Sequence, residues 1–159
     1  MTTPTTRDHE FLTRVLALAQ RSREEGHHPF AAMVVAADGT VIAEAMNASS
    51  SDRTAHAEMN ALRIASQQHG PGQLATATLY SSAEPCAMCA GGTYWSGVGR
   101  VVYALSEASL LQLTGSDPEN PTLSLPCREV FARGQRPTTV IGPLREDEAR
   151  PAHAGFWHG

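Results

Sequence analysis

Residues 31–45 read Ala31-Ala-Met-Val-Val-Ala-Ala-Asp38-Gly39-Thr-Val-Ile-Ala-Glu-Ala45, two apolar runs joined at Asp38-Gly39. Asp-Gly supplies the positive-φ turn that a tight hairpin needs, so residues 31–37 and 40–45 are expected to pair antiparallel. Upstream, Phe11, Leu12, Val15, Leu16, Leu18 and Ala19 recur at helical spacing from 8 to 25, and Gly26 and Pro29 stop the pattern. Downstream, helix and strand alternate. A helix begins at Thr54, carries Met59, Leu62 and Ile64, and ends near His69-Gly70-Pro71, and 75–81 follows as a β-rich run. Residues 86–96 read as a helix, 100–105 as a strand and 107–113 as a short helix, with a further helix at 127–133 and a last strand at 138–141. The turn formers of 114–121 mark a surface loop. A hairpin followed by alternating helix and strand implies an α/β fold, a mixed sheet flanked by helices.

At 159 residues the chain suits one domain, 1–159, around one core. Hydrophobic residues make up 42% and charged residues 18%, the balance of a globular protein and not of a disordered one. The start, Met-Thr-Thr-Pro-Thr-Thr, lacks the apolar core of a signal peptide, and no run approaches the roughly 20 apolar residues of a membrane helix. A cytoplasmic protein with no membrane partner is expected. Net charge is −4 and there is no lysine. Proteins that hold a phosphate backbone cluster positive charge, so this composition weighs against a nucleic-acid partner. Two of the three cysteines form Cys-x-x-Cys, which in such a chain points to metal or redox chemistry before a disulfide.

His56-Ala57-Glu58 opens one helix and Pro85-Cys86-Ala87-Met88-Cys89 opens the next. Cysteines three apart at a helix start can aim both sulfurs at one point, where free backbone N–H groups favour the thiolate. His56 would be the third ligand. Three protein ligands leave the fourth tetrahedral position of Zn²⁺ open to water, whose pKa the metal brings down to about 7. Glu58, two residues past the histidine, can lie beside that water without being a ligand and move its protons. A redox pair would leave His56-Ala57-Glu58 unexplained. A structural zinc site would need a fourth ligand, for which Cys127 is the candidate; otherwise Cys127 is a small buried residue of its helix. His9, His27, His28, His69, His153 and His158 fall in surface or loop positions.

The pairing of His-x-Glu with Pro-Cys-x-x-Cys is the known signature of zinc deaminases. From Pro29-Phe30-Ala-Ala-Met-Val-Val to Arg100-Val-Val-Tyr103, the chain resembles the cytidine and deoxycytidylate deaminase superfamily, in its branch of nucleobase and tRNA adenosine deaminases. The most specific pieces are His56-Ala57-Glu58, Ser81-Ser-Ala-Glu-Pro-Cys-Ala-Met-Cys89 and Tyr94-Trp95. The resemblance implies a three-layer α/β/α fold around a five-stranded mixed sheet, and a homodimer or larger assembly. Carried across, Asn47 would hydrogen-bond the base, Phe30 would pack on its ring and Ala57 would touch it through the backbone. Trp95 would line the pocket or the dimer contact. Phe30 and Trp95 read equally well as core residues, and Asn47 as a turn residue. The family's guanine deaminases use a second acid downstream of the cysteines. Asp117 falls at that position, Glu119 competes for it, and an aspartate before Pro118 also suits a plain turn.

The expected substrate is a free nucleobase or related heterocycle with an amine beside a ring nitrogen: guanine, isoguanine, cytosine, azacytosine or an aminotriazine. A tRNA adenosine deaminase is the competing reading and a guanosine or cytidine deaminase the third. In the tail, Arg145 and Arg150 are offset by Glu146, Asp147 and Glu148, not the basic end that tRNA binding calls for. A non-catalytic zinc module would have no use for Glu58. Phe156-Trp157 is expected to pack at or beside an active site, its own or, as the resemblance to guanine deaminases implies, that of a partner subunit, with Trp157 in the substrate-binding set; the alternative is that the pair caps its own subunit's core.

Overall fold

The computed structural model describes residues 3–158. Helix α1 (Thr6–Glu24) opens on a capping box, in which Thr5 Oγ1 accepts the Asp8 N–H at 3.2 Å and the Asp8 carboxylate accepts the Thr5 N–H at 2.8 Å. Strands β1 (Ala31–Val35) and β2 (Val41–Met46) form the expected hairpin. Both strands stop short of Asp38-Gly39 because the turn takes 36–40: Ala36 N–H donates to the Thr40 carbonyl, and Gly39 sits at φ +93°. Helix α2 (Ala57–Gln68) starts later than Thr54, after a looped stretch that ends on His56 as N-cap.

Pro71 fits the first position of a one-turn helix, α3 (Pro71–Leu74), so the run expected at 75–81 becomes β3 at Thr78–Ala83. Helix α4 (Ala87–Ser96), strand β4 (Arg100–Leu105), helix α5 (Glu107–Thr114), helix α6 (Cys127–Ala132) and strand β5 (Thr139–Ile141) follow within a residue or so of expectation. A short helix α7 (Glu146–Ala149) and a 3-10 turn (Arg150–His153) then lead into the tail; neither shows in the sequence pattern.

The sheet runs β2-β1-β3-β4-β5, antiparallel on the hairpin side and parallel from β3 to β5. Its two faces follow the period of two along each strand. Met33, Val35, Tyr80 and Val102 pack under α1 with Phe11, Leu12, Val15 and Ala19. Ala32, Val34, Leu79 and Val101 pack under Ala61, Leu62 and Ala65 of α2, Ala90 of α4 and Phe131 of α6. The result is the three-layer α/β/α arrangement. On the α1 side, Asp8 pairs with Arg100 through two 2.7 Å contacts and accepts the Tyr80 hydroxyl at 2.7 Å. Burial alone would raise the Asp8 carboxyl, but Arg100, Thr5 and Tyr80 hold it well below the usual carboxylate range. No helix among the described residues is long and apolar enough to cross a membrane.

Candidate active site

His56 and Cys86 occupy equivalent places. Each is an N-cap in extended conformation (φ −64°, ψ 152° and φ −64°, ψ 173°), His56 before α2 and Cys86 before α4. The two helices start side by side because they pack closely. A side chain at Gly92 of α4 would place its Cβ 2.5 Å from Met59 Sδ of α2, so only glycine allows this approach without a shift. Cys89, one turn into α4, is fully buried on the same side.

His56 Nδ1 lies 3.6 Å from Cys86 Sγ and 3.6 Å from Cys89 Sγ, and all three ligand atoms fall within 4.8 Å of one another. Zinc bonds of about 2.3 Å to sulfur and about 2.0–2.1 Å to nitrogen, set at a tetrahedral angle, separate S from N by about 3.6 Å. The donor set therefore fits Zn²⁺ in type and spacing. The thiols share one charge: Cys86 is pulled down to about 4, first by the Cys89 S–H and then by His56 against the cost of burial, while Cys89 is raised. Cys127 lies outside this group. It is buried, its N–H donates to Glu84 Oε2 at 2.9 Å, and burial and Glu84 push its thiol up to about 12. Among the described residues, three ligands and not four converge here.

Glu58, in the first turn of α2, is buried; its Oε1 accepts the Ser81 hydroxyl at 3.0 Å, and its Oε2 lies 3.7 Å from Cys89 Sγ. Burial and then the Cys86 thiolate raise its carboxyl. It lines a cavity of about 320 Å³ together with His56, Cys86, Phe30 and Asn47. Asn47, just past β2, is buried with Oδ1 accepting from Ser49 N–H at 2.9 Å and Ser49 Oγ at 2.7 Å. A backbone donor fixes that atom as the oxygen, so the amide N–H groups are left for a ligand. The Ala57 side chain is buried in the core, which leaves only its backbone, between His56 and Glu58, for the contact expected of it.

Three expected residues stand elsewhere. Trp95 is 82% exposed on the outer side of α4 and does not line the cavity, because Cys89 and Thr93 turn the opposite side inward. Asp117 also misses the cavity. Its carboxylate accepts the N–H of Glu119 at 2.9 Å and of His158 at 2.6 Å, and these two donors, His158 first, hold it low. Glu119 is the acid of this loop that reaches the cavity wall, 3.5 Å from His28 Nε2. Trp157 sits one layer behind the wall, 5.1 Å from the His28 ring and 6.0 Å from Phe30, and donates Nε1–H to His153 Nδ1 at 3.0 Å. His153, expected at the surface, is buried by this packing. The sequence reading missed Glu107, Arg53 and His28 as cavity residues; an acid in a helix's first turn and a His-His pair in a loop carry no periodic signal.

The family model for the cytidine and deoxycytidylate deaminase zinc-binding region matches residues 5–105. A probable cytosine deaminase of Schizosaccharomyces pombe is 38% identical over 154 residues, 96% of this chain and 94% of that protein. The guanine deaminase of Bacillus subtilis is 45% identical over 101 residues, 61% of this chain and 64% of that protein. Among solved structures, a guanine deaminase from Nitrosomonas europaea superposes with a TM-score of 0.73 at 29% identity, over 96% of this chain and 85% of that one. With its His-Cys-Cys group, its buried Glu58 and its mixed sheet, the chain belongs to the zinc-dependent cytidine and deoxycytidylate deaminase family.

Proposed function

We propose that the whole 159-residue chain is one hydrolytic deaminase domain acting on a free nucleobase of the guanine or cytosine type, in the cytoplasm, where reduced thiols persist. The observation that carries the reading is the cavity that joins the metal ligands His56 and Cys86 to Glu58, Phe30 and Asn47 beneath a wall of loop residues 119–123. The names of the S. pombe and B. subtilis relatives support the substrate class. Zinc held by His56, Cys86 and Cys89 supplies a Lewis acid that makes water nucleophilic at neutral pH.

Glu58 takes one proton from the attacking water and passes it to the ring nitrogen beside the reacting carbon, then takes the second from the hydroxyl now on that carbon and gives it to the leaving amine as the C=O forms. Its raised carboxyl suits a group that must both accept and donate. Ser81 holds one oxygen in place and leaves the other to work. Asn47 donates from its amide to the base, Phe30 covers the ring, and Glu119 is the loop acid placed for a second proton transfer. The exposed Trp95 ring is the contact by which two copies pair. Ammonia release from guanine, cytosine, their nucleosides and a tRNA anticodon stem-loop tests the reading. Turnover of a free base with the stem-loop untouched is expected. Inosine in the stem-loop with inert bases would replace this function with tRNA editing.

A further inference from the structure

Proton transfer leaves one acid of the cavity without a task. Glu107 is the first residue of α5, and its backbone N–H donates to Glu84 Oε1 at 3.0 Å. The other oxygen of Glu84 takes the Cys127 N–H, so that carboxylate is spent on anchoring the starts of α5 and α6. The Glu107 carboxyl differs. It is 8% exposed, lines the cavity, and has no hydrogen-bond or ion-pair partner among the described residues.

Its charged neighbours are mostly of the wrong sign for a carboxylate. Glu84 and Cys86 approach from the β3–α4 connection and Glu58 from α2, with His56 opposing them and Arg53 and His28 elsewhere on the cavity lining. An ionised carboxylate, buried and unpaired among such groups, is costly, and the group escapes the cost by holding its proton. Burial, then Cys86, Glu84 and Glu58, push it up to about 8. A neutral carboxylic acid presents an O–H donor and a C=O acceptor side by side, and here the protein satisfies neither. The complement of that pair is an acceptor next to a donor on a flat ligand.

We propose that Glu107 is a specificity residue that reads the lactam edge of the substrate, a ring N–H beside a C=O, through a two-point contact. The inference rests on the nucleobase reading above and narrows it. Guanine and cytosine both carry such an edge in addition to the amine that leaves. Bases without the carbonyl would leave the acid unpaired in the cavity and forfeit the contact.

The test compares guanine with 2-aminopurine and cytosine with 4-aminopyrimidine, each second compound keeping the amine but lacking the lactam. The zinc-loaded enzyme is assayed as wild type, Glu107→Gln, Glu107→Leu and Glu107→Ala; the alanine variant repeats the deletion without branched bulk. Xanthine and uracil, as products, are titrated calorimetrically in parallel. Both deletion variants are expected to lose about 10²-fold in kcat/KM on the lactam bases and in product affinity, and under about threefold on the lactam-free partners. Glu107→Gln, which keeps a donor and an acceptor, should stay within about fivefold of wild type. Equal losses on both members of a pair, no loss at all, or a glutamine variant as poor as the deletions would overturn the assignment. Wild-type protein that releases ammonia from none of the four compounds would bring down the function on which it rests.

Discussion

Lowering the pH from 7.5 to 5 should loosen the C-terminal tail, and His153 sets the midpoint. This imidazole is 4% exposed and accepts the Trp157 indole N–H at Nδ1, a bond that requires that nitrogen unprotonated. Burial, reinforced by Arg23, pushes it from 6.5 to about 4. Because the folded value lies below the free one, the stabilisation is complete above pH 6.5 and is lost as pH falls toward 4. The whole gap is about 2.5 pH units at about 1.4 kcal/mol each, so about 3–4 kcal/mol in all, of which about 2 kcal/mol has gone by pH 5. The tail, Phe156-Trp157 above all, packs against His28 and Phe30, so its release should also raise KM for the base over the same window. The chain has two tryptophans, and Trp95→Phe leaves Trp157 as sole reporter. Its emission should shift red with a midpoint between pH 6.5 and 4, together with faster proteolysis of the tail, and His153→Leu should flatten both. Unchanged Trp157 emission down to pH 4, or the same transition in His153→Leu, would refute the argument.

Glu58→Gln should keep one zinc per chain by metal analysis while ammonia release falls by about 10²–10⁴-fold, the usual contribution of a general acid–base group. Asp8→Ala strips the partner from Arg100 and the Tyr80 hydroxyl in a buried cluster, and urea denaturation should show a loss of about 3–5 kcal/mol with zinc retained. Glu119→Gln should lower kcat, whereas Asp117→Asn, at a residue that ties Glu119 and His158 together through the backbone, should raise KM and spare kcat. The opposite split in steady-state kinetics would return the proton-transfer role to Asp117.

The metal site was readable from the chain because its spacing is a local matter. A Cys-x-x-Cys at a helix start brings its sulfurs together within one turn, and no tertiary information is needed to see it. The hairpin was readable for the same reason, since Asp38-Gly39 declares its turn type. Two misplacements had local signals that were available. Pro71 after Gly70 marks the start of a one-turn helix, which pushes the following strand back to Thr78. In α4, Cys89 and Thr93 stand four apart and define the inward side; Trp95, six residues past Cys89, falls about 240° around the helix and must point away.

The loop acids and Glu107 belong to a different class, because what decides their chemistry is the identity of the groups brought near by distant chain. Asp117 and Glu119 sit two residues apart in a turn with no period, and both suit it equally. The choice between them is made by the His158 N–H, 41 residues on, which claims the Asp117 carboxylate and leaves Glu119 on the wall. Glu107 in sequence is an ordinary acid in the first turn of a helix, favoured there by the helix dipole. Only the fold shows that α5 starts against Glu84 and beside Cys86 and Glu58, so that a carboxyl well placed for the dipole is badly placed for its charge. A helix start with an unpaired acid on a cavity wall sacrifices stability unless something else pairs with it. That deficit, which no periodicity or spacing records, is what directs attention to the ligand's own donor and acceptor groups.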